Sequence, residues 1–197
     1  MKKMFLAATF VAALMIQACN SGQSTDGTTD STAMDPTAMG STTEMTTDTS
    51  GMNPASSDPK DFMEKAAIGG MMEVEAGKMA QTQASSQKVK DFAAMMVKDH
   101  SDANKELMGI AEKKSVNLAT SLPAMEQQHL DAMKRMSGAE FDKHYMDMMV
   151  QDHDKTISLF QAGSKNSDAE VSGFATKTLP IIEAHAKQAA EIHSTLK

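Results

Sequence analysis

Met95-Met96-Val97-Lys98-Asp99-His100 and Met148-Met149-Val150-Gln151-Asp152-His153 are two copies of one phrase, set 53 positions apart. The match extends outward, with Phe92 opposite Tyr145 and Leu107 opposite Phe160. In both copies the apolar residues recur at three- and four-residue steps, the period of an amphipathic helix. Each histidine falls on that apolar stripe. The phrase therefore predicts two helices that carry an imidazole toward a common core.

Five helical segments surround the phrase. Helix A opens at Asp58-Pro59, an N-cap followed by proline at the first helical position, and runs to about Ala84. Phe62, Ala66, Gly69, Met72, Ala76, Met79 and Ala80 line its apolar face, with Glu73 inside it. Ser85-Ser86 caps helix B, which runs to about Lys114 along Val89, Phe92, Ala93, Met96, His100, Ala103, Leu107, Ile110 and Ala111. Ser121-Leu122-Pro123 opens a short helix C to about Met136, with Leu122, Met125, His129, Leu130 and Met133 as its stripe. Ser137 to Glu140 has capping-box spacing and opens helix D, whose stripe holds Tyr145, Met149, His153, Thr156, Ile157 and Phe160. Ser167 to Glu170 is a second such box. It opens helix E, with Val171, Phe174, Ala175, Thr178, Ile182, His185, Ala189 and Ile192 on one face and a kink expected at Pro180.

Long helices joined by short turns form an antiparallel bundle. The expected fold is all-α: an antiparallel four-helix bundle over residues 58–197, with helix C as an extra short crossover between the A–B and D–E hairpins. Helices B and D then run parallel, and His100 and His153 share one level, with Glu73 within about 5 Å of it at 1.5 Å per residue. His185 is expected one or two turns away.

Composition agrees with helix. The chain has 20 Met, no Trp and 4% aromatic residues, and residues of this kind favour helix over sheet. A net charge of −7 argues against nucleic acid, which selects a basic surface. The lone Cys19 excludes an internal disulfide.

The N-terminus has its own logic. Lys2 and Lys3 precede an apolar run from Phe5 to Ile16. That run is shorter than the roughly 20 residues a bilayer span needs and suits a secretory signal over 1–18. It ends Ile16-Gln17-Ala18-Cys19, which resembles a bacterial lipobox; the resemblance implies acylation of Cys19, palmitate included, and membrane attachment. Asn20 after the cysteine favours the outer membrane under the same resemblance. Residues 19–57 are rich in Ser, Thr, Gly, Asp and Met without a basic residue, a composition too polar to offset its ordering entropy. They read as a disordered tether with a reach of roughly 30–35 Å. Met34, Met39, Met45 and Met52 recur along it. Thioethers bind Cu(I), but compositional drift explains them as well.

Together the lipobox and tether, the repeated Met-Val-x-Asp-His phrase, and the closing Leu179-Pro180…His185 segment resemble the bacterial domain-of-unknown-function 4142 family. The resemblance spans about residues 58–195. It implies a ferritin-like bundle in the cell envelope, carries no reaction, and transfers no catalytic residues. Ferritin-like di-iron proteins use Glu-x-x-His. Here Val97, Val150 and Ile182 stand three residues before His100, His153 and His185, so di-iron chemistry is not expected.

Two readings of the histidines stay open. In one, His100 and His153 are satisfied core residues, bonded to Glu73 or to the Tyr145 hydroxyl, that fix the register of a Met- and Ala-rich core. In the other they form a metal site. Met96 and Met149 stand four residues before them, on the same helical face, and two sulfurs with two nitrogens suit Cu(I), while Glu73 in the set suits Zn(II). His185 and Tyr145 are secondary candidates. His129 and His193 read as core or interface and His144 as solvated, with Asp99 and Asp152 as flanking partners. No nucleophile-base pair, phosphate loop or paired-carboxylate cleft is visible. The function read from the chain is a lipid-anchored envelope module for binding or structure, in envelope maintenance or stress, with metal binding or redox as the alternative. A protein partner or homo-oligomer fits either.

Overall fold

The computed structural model describes residues 58–196. The signal segment, Cys19 and the whole tether with its methionines lie outside the described residues. Five helices occupy the described part: α1 Pro59–Gln83, α2 Gln87–Lys113, α3 Ala124–Met133, α4 Gly138–Gly163 and α5 Ala169–His193. None is long and apolar enough to cross a membrane.

Helices α1, α2, α4 and α5 form the bundle. α1 packs on α2 and α4, and α5 packs on α4 and α2, which leaves α2 and α4 diagonal across the core. Three contacts set the directions. Lys114, at the end of α2, pairs with Asp168 (2.6 Å) and Glu170 (3.0 Å) at the start of α5. Phe62, early in α1, meets Phe160, late in α4, with ring centroids 5.1 Å apart. Ser85 and Ser86 reach Asp142, one turn into α4. So α1 opposes α4, α2 opposes α5, and α2 runs parallel to α4. The crossover makes this possible: residues 114–137 return the chain along the bundle, and Leu130 and Met133 of α3 pack where α4 begins.

Helix ends follow local chemistry, with corrections to the caps. Asp58 accepts from the Lys60 N–H at 2.8 Å, with Pro59 next. Ser137 makes no side-chain cap, and at the second box Asp168, not Ser167, is the N-cap, accepting from the Glu170 and Val171 N–H groups at 3.0 and 3.2 Å. Ser86 makes no side-chain cap either. Its work falls to Asp142, a buried carboxylate on α4 that accepts from the Ser85 and Ser86 N–H groups at 2.9 Å each and from the Ser85 hydroxyl. Orphan N–H groups at a helix start need such an acceptor. α2 closes in a Schellman turn, with Val116 N–H on the Ala111 carbonyl and Ser115 N–H on that of Glu112. Ser115 holds the left-handed position at φ 57°. α5 continues through Pro180; the carbonyl that proline leaves without a partner belongs to exposed Thr176.

The stripe read for α5 is buried at all eight positions. That for α3 is not: Met125 is 77% exposed and His129 is exposed, because a ten-residue helix lying mainly on α1 buries a narrow seam. On α1, Gly70 and Gly77 face α2. A Cβ at Gly70 would meet Asn104 Oδ1 at 2.2 Å, and one at Gly77 would meet Val97 Cγ2 at 2.8 Å. These glycines let the two helices close up.

The core is divided. One apolar cluster joins Met72, Ala76, Phe92, Met96, Tyr145, Met149 and Ala189 toward the α1–α2 turn. The other joins Phe62, Ala67, Leu107, Leu159, Phe160, Phe174 and Ile182 toward the opposite end. Between them, each of the four helices contributes one buried polar residue: Glu73, His100, His153 and His185.

Candidate metal centre

Each histidine of this layer stands between an apolar residue of one cluster and an apolar residue of the other on its own helix. His100 lies between Met96 and Leu107, His153 between Met149 and Leu159, and His185 between Ile182 and Ala189. The three ring centroids are 5.9, 5.4 and 5.7 Å apart. His185 is thus at the level of the other two and not one or two turns away. The cause lies in the α4–α5 link. Ser164 to Asn166 continue past Gly163 as a hydrogen-bonded turn, so the chain reverses later than the helix end. That later reversal shortens the axial offset between His153 and His185, and the side chains bring the rings to 5.7 Å.

One ring nitrogen of each histidine has a partner. His100 Nδ1 is 2.9 Å from Glu73 Oε2, His153 Nδ1 is 2.8 Å from the Met149 carbonyl, and His185 Nε2 is 3.1 Å from Asp99 Oδ2. All three partners are carboxylate or carbonyl oxygens, which accept, so each ring donates N–H there. A neutral imidazole then carries its lone pair on the other nitrogen. Those other nitrogens, His100 Nε2, His153 Nε2 and His185 Nδ1, are buried and without a hydrogen-bond partner, as is Glu73 Oε1. One nitrogen from each ring lies within 4.8 Å of the other two. Two nitrogens on a shared zinc stand about 3.3 Å apart for bonds of about 2.0–2.1 Å, so the set needs a closing movement of at most about 1.5 Å.

Groups of this layer also shift one another's ionisation. Burial pushes the Glu73 carboxyl up, but His100, His153 and His185 around it hold it below its ordinary value. Burial disfavours a charged His100, yet Glu73, by charge and hydrogen bond, and Asp99 carry it above the usual histidine value. His185 is pushed below it by burial and by His100, with Asp99 opposing.

The other candidate residues are placed as follows. Met96 and Met149 are fully buried, one turn from His100 and His153, in the first apolar cluster. The Tyr145 hydroxyl bonds no histidine: it has no hydrogen-bond partner, and its ring packs on Phe92 and Phe141. Burial and the charge of Glu73 push its ionisation upward. His153 uses the Met149 carbonyl instead. Asp99 is the flanking partner expected of it, but for His185 on another helix. Asp152 pairs with Lys155 at 3.0 Å. His144 is half-buried, not solvated, and its Nε2 lies 3.3 Å from that of exposed His129. His193 bonds Asp147 at 2.5 Å. Asp142 and the His193–Asp147 pair had no local signal in the sequence.

The fold and layer define an antiparallel four-helix bundle with a three-histidine waist. The family model described as domain of unknown function (DUF4142) matches residues 44–192, and the chain belongs to that family. No curated protein matches. Among solved structures, the chain is similar to a crystal structure described as a secreted DUF305 protein from Streptomyces coelicolor. The TM-score is 0.58 at 11% identity, over 69% of this chain and 92% of that one. At that identity the likeness is one of fold.

Proposed function

We propose that this protein is a lipid-anchored envelope protein whose bundle binds one transition-metal ion, Zn(II) or copper, through His100, His153 and His185. One observation carries the reading: each of the three rings leaves one buried nitrogen without a hydrogen-bond partner, and one nitrogen of each ring lies within 4.8 Å of the other two. A layer built only for core register would satisfy those atoms. The outer bonds support it further. Metal-bound histidines characteristically give their second N–H to a carboxylate or backbone carbonyl, and all three rings do so. Glu73 then acts through His100 and not as the first ligand, and Met149 serves through its carbonyl. Three nitrogen donors leave one tetrahedral position open.

Titration of the full chain with Zn(II) and Cu(II), with elemental analysis, tests this. One ion per chain is expected, lost in His100→Ala and His185→Ala and kept in His129→Ala. Unchanged stoichiometry in the combined His100, His153 and His185 alanine variant would sink it. The anchor is tested separately: labelled palmitate should enter the wild type and not Cys19→Ser.

A further inference from the structure

A cavity of about 310 Å³ opens against the histidine layer, with His100 and His185 in its lining. His153, fully buried, lies outside that lining and closes the layer from behind. Ala66, Leu107, Leu159, Phe160, Phe174 and Ile182 supply apolar walls. Lys177, Lys98, Asp102 and Glu106 also line it, and their charges cancel in pairs: Lys177 with Glu106 at 2.5 Å and Lys98 with Asp102 at 3.1 Å. Resting on the metal-site reading above, we infer that this cavity admits a small organic ligand to the ion's open position. The ligand has one coordinating nitrogen or oxygen at its head and an apolar body.

The volume sets the size. It lies at the small end of ligand pockets, which run from about 300 to 1,000 Å³. The walls set the character, since a largely apolar cavity rewards an apolar body. The compensated charges argue against a highly charged ligand. The open fourth position sets the head group, because a three-histidine site leaves a place for water or an exogenous donor. Gly69 gives a handle on the cavity independent of the metal. It lines the space, and a Cβ built there meets nothing within 4 Å, so a side chain can start there without a clash at its first carbon. Ala103, half-buried on α2, lines it as well.

The test uses the full chain loaded with Co(II), whose visible bands report its coordination, and two probes, imidazole and 4-phenylimidazole. The bands are expected to shift with both. The phenyl-bearing probe binds roughly tenfold or more tightly, the effect of one buried apolar group. Gly69→Leu and Ala103→Phe are expected to keep Co(II) bound, weaken 4-phenylimidazole by roughly tenfold or more, and leave imidazole little changed. If either variant fails to fold, the other carries the measurement. Bound Co(II) whose bands do not move, or a phenyl preference that survives in the variants, overturns the inference while the metal reading stands. Failure of the chain to bind Co(II) removes both.

Discussion

His185 Nε2 on α5 donates to Asp99 Oδ2 on α2 at 3.1 Å, between residues 86 positions apart. That bond aims the ring: with Nε2 committed, only Nδ1 can face the other two imidazoles. It follows that Asp99→Asn weakens Zn(II) binding without abolishing it, by about 10- to 100-fold, the usual effect of removing an outer partner. Calorimetric titration checks this. An affinity equal to wild type would show that His185 needs no such aim.

Glu73→Gln changes how the metal-free protein responds to pH. In the wild type, His100 sits above its ordinary value. A raised folded value contributes stability that is complete below about pH 6.5 and fades as pH rises through the folded value. Glu73 sits below its ordinary value, and its contribution is present above about pH 4.5 and lost as pH falls through its lowered folded value. Without the carboxylate, His100 loses the main charge that holds its proton and keeps only the pull of Asp99. The melting temperature of wild type should therefore exceed that of Glu73→Gln by more at pH 6 than at pH 8.5, and the gap should narrow again in strong acid. A gap independent of pH would contradict the Glu73–His100 coupling.

Asp142→Ala should be among the more destabilising single changes outside the apolar core. It strips a buried acceptor from the Ser85 and Ser86 N–H groups and the Ser85 hydroxyl. Leaving helix-start donors unpaired costs about 2–3 kcal/mol. Urea unfolding gives the number; a loss below about 0.5 kcal/mol would mean that water replaces the carboxylate fully.

Ser115→Gly should stabilise. Ser115 holds φ 57° in the turn that closes α2, a conformation that costs a residue with a Cβ about 1 kcal/mol and suits glycine. Part of the gain is offset by glycine's freedom in the unfolded chain. A rise of about 0.5 kcal/mol, read from the urea midpoint at constant slope, is expected.

The helices were legible because periodicity is local. Every apolar position read on α5 is buried, and the parallel run of α2 and α4 follows from the long crossover. The α3 stripe misled because Met125 and His129 keep the period of a buried face and yet stay exposed. Within the site, His100 and His153 could be levelled by their similar depth in two parallel helices, and Glu73 by counting back from the α1–α2 turn. His185 could not, since the extension of α4 through Asn166 is a matter of turn geometry. Asp142 carries no periodic or motif signal; only its contact with a loop 56 and 57 positions away gives it meaning.

The divided core has a mechanical consequence. The bundle is two short hydrophobic plugs stacked end to end, with a seam of titratable groups where helices usually grip hardest. In the ion-free chain, amide protection should dip in α2, α4 and α5 near residues 100, 153 and 185, because local opening there separates the plugs without dismantling either. An ion at the seam would clamp three helices at one height. At a thousandfold excess over its dissociation constant it would add about 4 kcal/mol. Hydrogen exchange would then show one continuous block of protection where there had been two.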